Sequence, residues 1–107
     1  MLNIIKGQTN MKKVITKKFS NGQLKYRKTY KDNNSYLEES WYENGYLKER
    51  SEWKNDKRNG IHEKFNESGT LDIRENYHNG KLDGLCEVWI DNECGYFYFE
   101  NGHLVTK

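Results

Sequence analysis

The stretch Leu37-Glu38-Glu39-Ser40-Trp41-Tyr42-Glu43-Asn44-Gly45-Tyr46-Leu47-Lys48-Glu49-Arg50-Ser51-Glu52-Trp53 decides the fold. Leu37 and Trp41 share parity, as do Leu47, Glu49, Ser51 and Trp53, and a period of two is that of a strand whose alternate side chains share a face. Glu43-Asn44-Gly45 between the two runs is a turn signal, because Asn-Gly accepts the positive φ angles of a tight hairpin at little steric cost. The stretch predicts a β-hairpin with its rings on one face and Tyr46, Lys48, Arg50, Glu52 and Lys54 on the other.

The pattern recurs along the chain. Leu37, Ile61 and Leu85 stand 24 apart, and so do Trp41, Phe65 and Trp89; Leu47 and Leu71, Trp53 and Tyr77, and Gly60 and Gly84 keep the step. Gly22, Leu24 and Tyr30 extend it upstream, one residue short. There is no Pro, and Asn-Gly occurs at 21–22, 44–45, 59–60, 79–80 and 101–102, which reads as punctuation between strands. Repeats of this length stack so that each unit buries its neighbour's apolar face. The expected fold is all-β: an antiparallel single-sheet meander of repeated β-hairpins with about seven or eight strands. A basic lead-in, 1–16, precedes a repeat domain, 17–107, in approximate units 17–36, 37–60, 61–84 and 85–107. The rings Tyr30, Trp41, Trp53, Phe65, Tyr77 and Trp89 are expected as one stripe at its centre. No helical period appears from residue 17 onward.

Composition agrees with a thin fold. The 107 residues suffice for one small domain. Leu, Ile, Val and Phe number 8, 6, 3 and 4, at the edge of what folds, but three Trp and eight Tyr supply ring area that offsets the shortage. No run approaches the ~18 apolar residues of a membrane span, and Met1 to Lys6 is too short and polar for a signal peptide, so the expected location is the cytoplasm. With a turn at Asp91-Asn92, Trp89 faces Cys94 and Cys86 faces Phe97, which puts the two sulfurs out of register and predicts free thiols.

The net charge of +2 hides an asymmetry. Residues 1–31 carry nine basic side chains and no acid, and the remainder sums to −7. Lys17, Lys18, Lys25, Arg27, Lys28 and Lys31 form a basic patch for nucleic acid, an anionic lipid surface or the acidic end of another copy. Rings interleaved with it have the composition of a stacking platform, although Tyr26 and Tyr30 share the core parity. Glu38, Glu39 and Glu43 are candidates for an acidic surface that occupies the basic groove of a nucleic-acid-handling enzyme.

Little points to bond-making chemistry. His62, His78 and His103 are turn-proximal and lack partners at metal-ligand spacing, and the cysteines are not a Cys-x-x-Cys pair, so no metal, cofactor or catalytic residue is assigned. Glu49, Glu63, Glu75 and Glu87 recur on the expected ring face and read as rim charges. The chain is expected to be no enzyme. Tyr96-Phe97-Tyr98-Phe99 carries rings on both faces, which suits a terminal cap, self-association as a homodimer, or another protein partner. Glu93 stands where the step from Gly45 and Gly69 requires glycine, which leaves the register of the last unit open.

Trp41 to Glu49, Trp53-Lys54-Asn55-Asp56-Lys57-Arg58-Asn59-Gly60, Tyr77-His78-Asn79-Gly80-Lys81-Leu82-Asp83-Gly84 and Phe99-Glu100-Asn101-Gly102-His103-Leu104 together resemble the MORN repeat in its bacterial variant. The resemblance covers roughly residues 17–107 and implies a hairpin-repeat sheet. In bacteria such repeats mark the YwqK-type antitoxin family, and elsewhere they imply scaffolding, self-association or lipid contact. Three functions follow as expectations: a protein-binding or scaffold module using an aromatic face or the C-terminal edge; an antitoxin-like or phage-encoded inhibitor; and a nucleic-acid or anionic-lipid binder using the basic third.

Overall fold

The computed structural model describes residues 13–106. They form one antiparallel sheet of ten strands: β1 Val14–Lys18, β2 Leu24–Tyr30, β3 Ser35–Trp41, β4 Leu47–Lys54, β5 Lys57–Phe65, β6 Leu71–His78, β7 Lys81–Leu82, β8 Gly84–Ile90, β9 Glu93–Glu100 and β10 His103–Leu104. Spatial order follows chain order, with β7 and β8 both pairing β6. The count exceeds seven or eight because an irregularity at Asp83 splits one strand into β7 and β8, and because β10 adds a short terminal strand. Residues 1–12, most of the basic lead-in, lie outside the described residues.

The extents are 58 × 36 × 15 Å, with a radius of gyration of 16.9 Å against about 13 Å for a compact domain of this length. The molecule is a plate one sheet thick. Among the described residues no side chain is completely enclosed, since they form a single layer.

Two kinds of turn organise the plate. Five-residue loops, 19–23, 42–46 and 66–70, close β1–β2, β3–β4 and β5–β6 with the same bonds, in which Tyr42 N–H donates to the Tyr46 carbonyl and Gly45 N–H to the Tyr42 carbonyl. The opposite margin has two-residue turns at Asn55-Asp56, Asn79-Gly80 and Asn101-Gly102, each with positive φ at both positions. Such paired positive φ angles match the twist of the flanking strands.

Asn59-Gly60, expected as a turn, lies inside β5. There Glu52 of β4 stands opposite an outward kink between the Ser51↔His62 and Trp53↔Arg58 pairs, and Gly60 supplies the φ of +116°. A Cβ at Gly60 would collide with the Glu52 carboxylate, which instead accepts the Ile61 N–H at 2.8 Å. Asp83-Gly84 repeats this kink 24 residues on, with Asn76 in place of Glu52. Each kink grips the next two-residue turn: Asn59 Oδ1 accepts the Asn79 N–H at 3.0 Å, and Asp83 Oδ1 accepts the Asn101 N–H at 2.9 Å.

The five-residue loops overturn the expected single ring face. Ser40 pairs with Glu49 but Trp41 with Leu47, a bulge that shifts register by one. A shift of one residue moves every later side chain to the opposite face. Tyr36 therefore pairs with Trp53, and Leu37 pairs with Glu52. By strand alternation Trp41, Phe65 and Trp89 lie on one face, and Tyr30, Trp53 and Tyr77 on the other.

Candidate functional site

The two faces carry different chemistry. On one, the arginine face, a row of charges crosses six strands in register: Arg27↔Glu39, Glu39↔Arg50, Arg50↔Glu63, Glu63↔Arg74 and Arg74↔Glu87. Opposite charges on directly facing strand positions attract. Glu39 and Glu63 are buried, and ion pairs join Arg27 to Glu39 at 2.9 Å, Arg74 to Glu63 at 2.8 Å and Arg74 to Glu87 at 3.6 Å. The hydrogen bond to Glu63 holds the Arg74 guanidinium above its ordinary pKa.

The other, the histidine face, is built around His62. Its ring is buried, with Nδ1 2.7 Å from Glu75 Oε1 and Nε2 2.7 Å from Glu49 Oε2. Ionised carboxylates only accept, and a neutral imidazole carries one N–H, so these two hydrogen bonds need two protons among the three groups. Tyr77 OH donates to Glu75 Oε1 at 3.3 Å; burial, then the Glu75 charge, pushes its pKa up. Beside this knot a stack crosses the sheet. Tyr30 lies 5.4 Å from Tyr36, Tyr36 lies 6.0 Å from Trp53 and nearly parallel to it, and the Arg58 guanidinium sits over Trp53 at 5.3 Å and over Tyr77 at 5.6 Å. Arg58 fills the gap because Trp53 and Tyr77 lie two strands apart, roughly twice the ~4.8 Å spacing, too far for direct stacking.

Several sequence readings change here. His62 is a buried mid-strand residue and not a turn residue. Glu49 and Glu75 share the histidine face, whereas Glu63 and Glu87 belong to the arginine face, so the four carboxylates are not one rim. Arg58 and His62 were not singled out as a site. The signal for His62 was the 24-residue step that places Glu38, His62 and Cys86 in equivalent central strand positions; the same step sets Arg58 level with Asn34 and Leu82 and does not mark it.

The candidate acidic residues do not share a face. Glu38 accepts the Tyr26 hydroxyl at 2.6 Å on the histidine face, Glu39 is ion-paired on the arginine face, and Glu43 is exposed in a loop. Burial, then the bond to Glu38, drives the Tyr26 hydroxyl pKa well up. The basic residues are also dispersed. Lys28 lies over the Tyr36 ring at 4.1 Å, Arg27 over Trp41 at 5.2 Å, and Lys31 reaches Glu52 at 3.3 Å at the far margin. Lys17 and Lys25 instead meet at a cleft of about 400 Å³ beside the 19–23 and 42–46 loops. Lys18, the last residue of β1, is exposed.

The C-terminal end is different again. The turn at Asp91-Asn92, with φ of 50° and 66°, sets Trp89 opposite Cys94 and Cys86 opposite Phe97. The thiols are free and lie on opposite faces. Burial, then the Glu75 charge, pushes the Cys86 thiol pKa up. Tyr96 and Tyr98 project from the arginine face and Phe97 and Phe99 from the other. Tyr96, Phe97 and Tyr98 are 59%, 44% and 60% exposed, with Trp89, Ile90, Leu104 and Val105 also open to solvent. β10 covers β9 only at Phe99 and Glu100, and Val105 N–H donates to the Tyr98 carbonyl. By alternation the peptide groups of Cys94 and Tyr96 face that same outer side, where among the described residues no strand pairs with them.

Among the described residues no helix is long and apolar enough to cross a membrane. No curated protein and no solved structure matches the chain. The family model that does match is the MORN repeat variant, a class of generally protein- or membrane-binding modules, over residues 14–32 and 58–79: the β1–β2 and β5–β6 hairpins with their five-residue loops.

Proposed function

We propose that the chain acts in the cytoplasm as a non-enzymatic protein-binding plate whose contact surface is its C-terminal edge, Tyr96 to Phe99. The observation that carries this is the concentration of exposed rings and aliphatic side chains on β8, β9 and β10 beside a strand edge with open peptide groups. Contiguous apolar surface of this kind marks an interaction site, and an open edge takes an added strand by main-chain hydrogen bonding. Capping of the repeat array needs no such surface, because a cap presents polar residues outward.

Photo-crosslinking in cells tests the reading. A benzophenone side chain replaces Tyr96 in one experiment and the equally exposed Tyr46, in a loop of β3–β4, in another. The expected result is a discrete adduct from position 96 that position 46 does not give. A second copy of the chain in that adduct makes the plate a homodimer, and a nucleic-acid-handling enzyme makes it an antitoxin-like inhibitor. Equal adduct patterns from both positions sink the edge as the contact surface.

A further inference from the structure

The cleft between the 19–23 and 42–46 loops has a built character that the rest of the basic region lacks. It lies at the margin of the sheet and is lined from both faces, by Lys17 and Tyr26 from the histidine face and Lys25 and Trp41 from the arginine face, with the half-buried rings of Phe19 and Tyr42 between them. Lys17, Lys25 and Lys48 stand over three of the four rings, at 5.5 Å from Tyr26, 5.6 Å from Phe19 and 5.6 Å from Tyr42, and Arg27 stands over the fourth, Trp41, at 5.2 Å. None of these ammonium groups is ion-paired among the described residues, and the exposed carboxylate of Glu43 is the acid on the rim. The volume of about 400 Å³ falls within the ~300–1,000 Å³ of small-molecule sites.

We infer that this cleft binds single-stranded nucleic acid, with bases against the rings and phosphates on the three lysines. Every base has a π face, so stacking on rings flanked by cations accepts any sequence. An acidic peptide would use the lysines and leave four rings idle. A duplex keeps its bases stacked inside and out of reach. A lipid surface wants side chains that project, and these rings are recessed. The acidic remainder of the plate does not cancel the site, because screening over ~10 Å at 0.1 M salt is short beside a 58 Å plate. The cleft involves neither β8, β9 nor β10, so it stands or falls apart from the C-terminal edge.

The test uses the whole chain and a fluorescent oligo-dT of roughly 12 nucleotides, read by anisotropy at low salt. The affinity should fall with salt along a log–log slope of about −2, the value for three phosphate contacts on a single strand. Combined Lys17→Glu, Lys25→Glu and Lys48→Glu should weaken binding by more than about tenfold, while the equal charge change at Lys54, Lys57 and Lys81 leaves it within about threefold. Circular dichroism checks that both variants keep the sheet. Oligo-dT should quench tryptophan emission in the wild type, and Trp41→Phe should bind while losing that quench. Polyphosphate, which has charge but no bases, should not quench. The inference is overturned by absent binding at low salt, by a cleft variant that binds as well as wild type, or by a quench that survives Trp41→Phe. Preference for phosphatidylserine vesicles over oligo-dT, with Trp41 emission unmoved by the oligonucleotide, assigns the lysines to a lipid surface and also overturns it.

Discussion

The middle of the plate, β3 to β6, and its C-terminal end, β8 to β10, are built from the same repeat and finish in opposite states. In the middle, both faces are covered from within: the arginine face by alternating Arg and Glu, the histidine face by the His62 knot and the Tyr30–Tyr36–Trp53–Arg58–Tyr77 stack. At the end the charge row runs out at Glu87, whose next partner in register is Tyr96. Beyond it the rings face solvent. A sheet with no second layer must let long polar side chains lie over its own rings, and where those side chains stop, apolar surface is left for something else to cover.

Two measurements separate the two regions, and a third separates the two faces of the C-terminal end. The largest effect is expected from His62→Ala, which leaves Glu49 and Glu75 without the ring that bridges them. Breaking a buried charged network by removing one partner costs about 3 kcal/mol, or roughly 15 °C in Tm for a domain this small. A thermal melt by circular dichroism that moves less than a third of this would show the knot to be dispensable. Next, Trp53→Ala should cost about 2 kcal/mol, less than a fully buried ring because Trp53 is half-buried, while Tyr98→Ala stays within about 0.5 kcal/mol. Equal costs would erase the distinction between a self-covered middle and an open end.

The smallest effect concerns the thiols. Cys94 should react with iodoacetamide at mildly alkaline pH well before Cys86, which is buried and holds its proton more tightly than an ordinary thiol. The sign for stability is determined by the same shift. The folded chain keeps the Cys86 proton and the unfolded chain gives it up, so this contribution is present below about pH 8.5 and lost as pH climbs past it. Relative to Cys86→Ala, the wild type should therefore lose stability at high pH. A constant difference between pH 7 and pH 10 would contradict it.

Strands, their chain order and the last hairpin were legible, because Asp91-Asn92 fixes the register of Cys86 and Trp89 by local turn chemistry alone. The assignment of faces was not. Parity within Leu37 to Trp41 and within Leu47 to Trp53 is correct for each strand, yet the bulge beside Trp41 carries the two onto opposite sides, and no residue type marks a one-residue slip. Asn59-Gly60 misleads for a related reason. Glycine at positive φ serves a kink inside a strand as well as a turn, and only the neighbouring Asn55-Asp56 turn distinguishes them. The cleft was half visible. Lys17 and Lys25 stood out by charge, whereas Trp41, Tyr42 and Lys48 join them only because the first two five-residue loops lie side by side.

The way each kink grips the following turn has a consequence for how such molecules change length. Asn59 and Asp83 both reach one hairpin ahead, so each of these two modules carries the fastening for its successor. A gene that duplicated or dropped a single module would hand over its clasp intact. The span between the two ends of the plate is thus an adjustable dimension, set by copy number, while the chemistry at either end stays as it is.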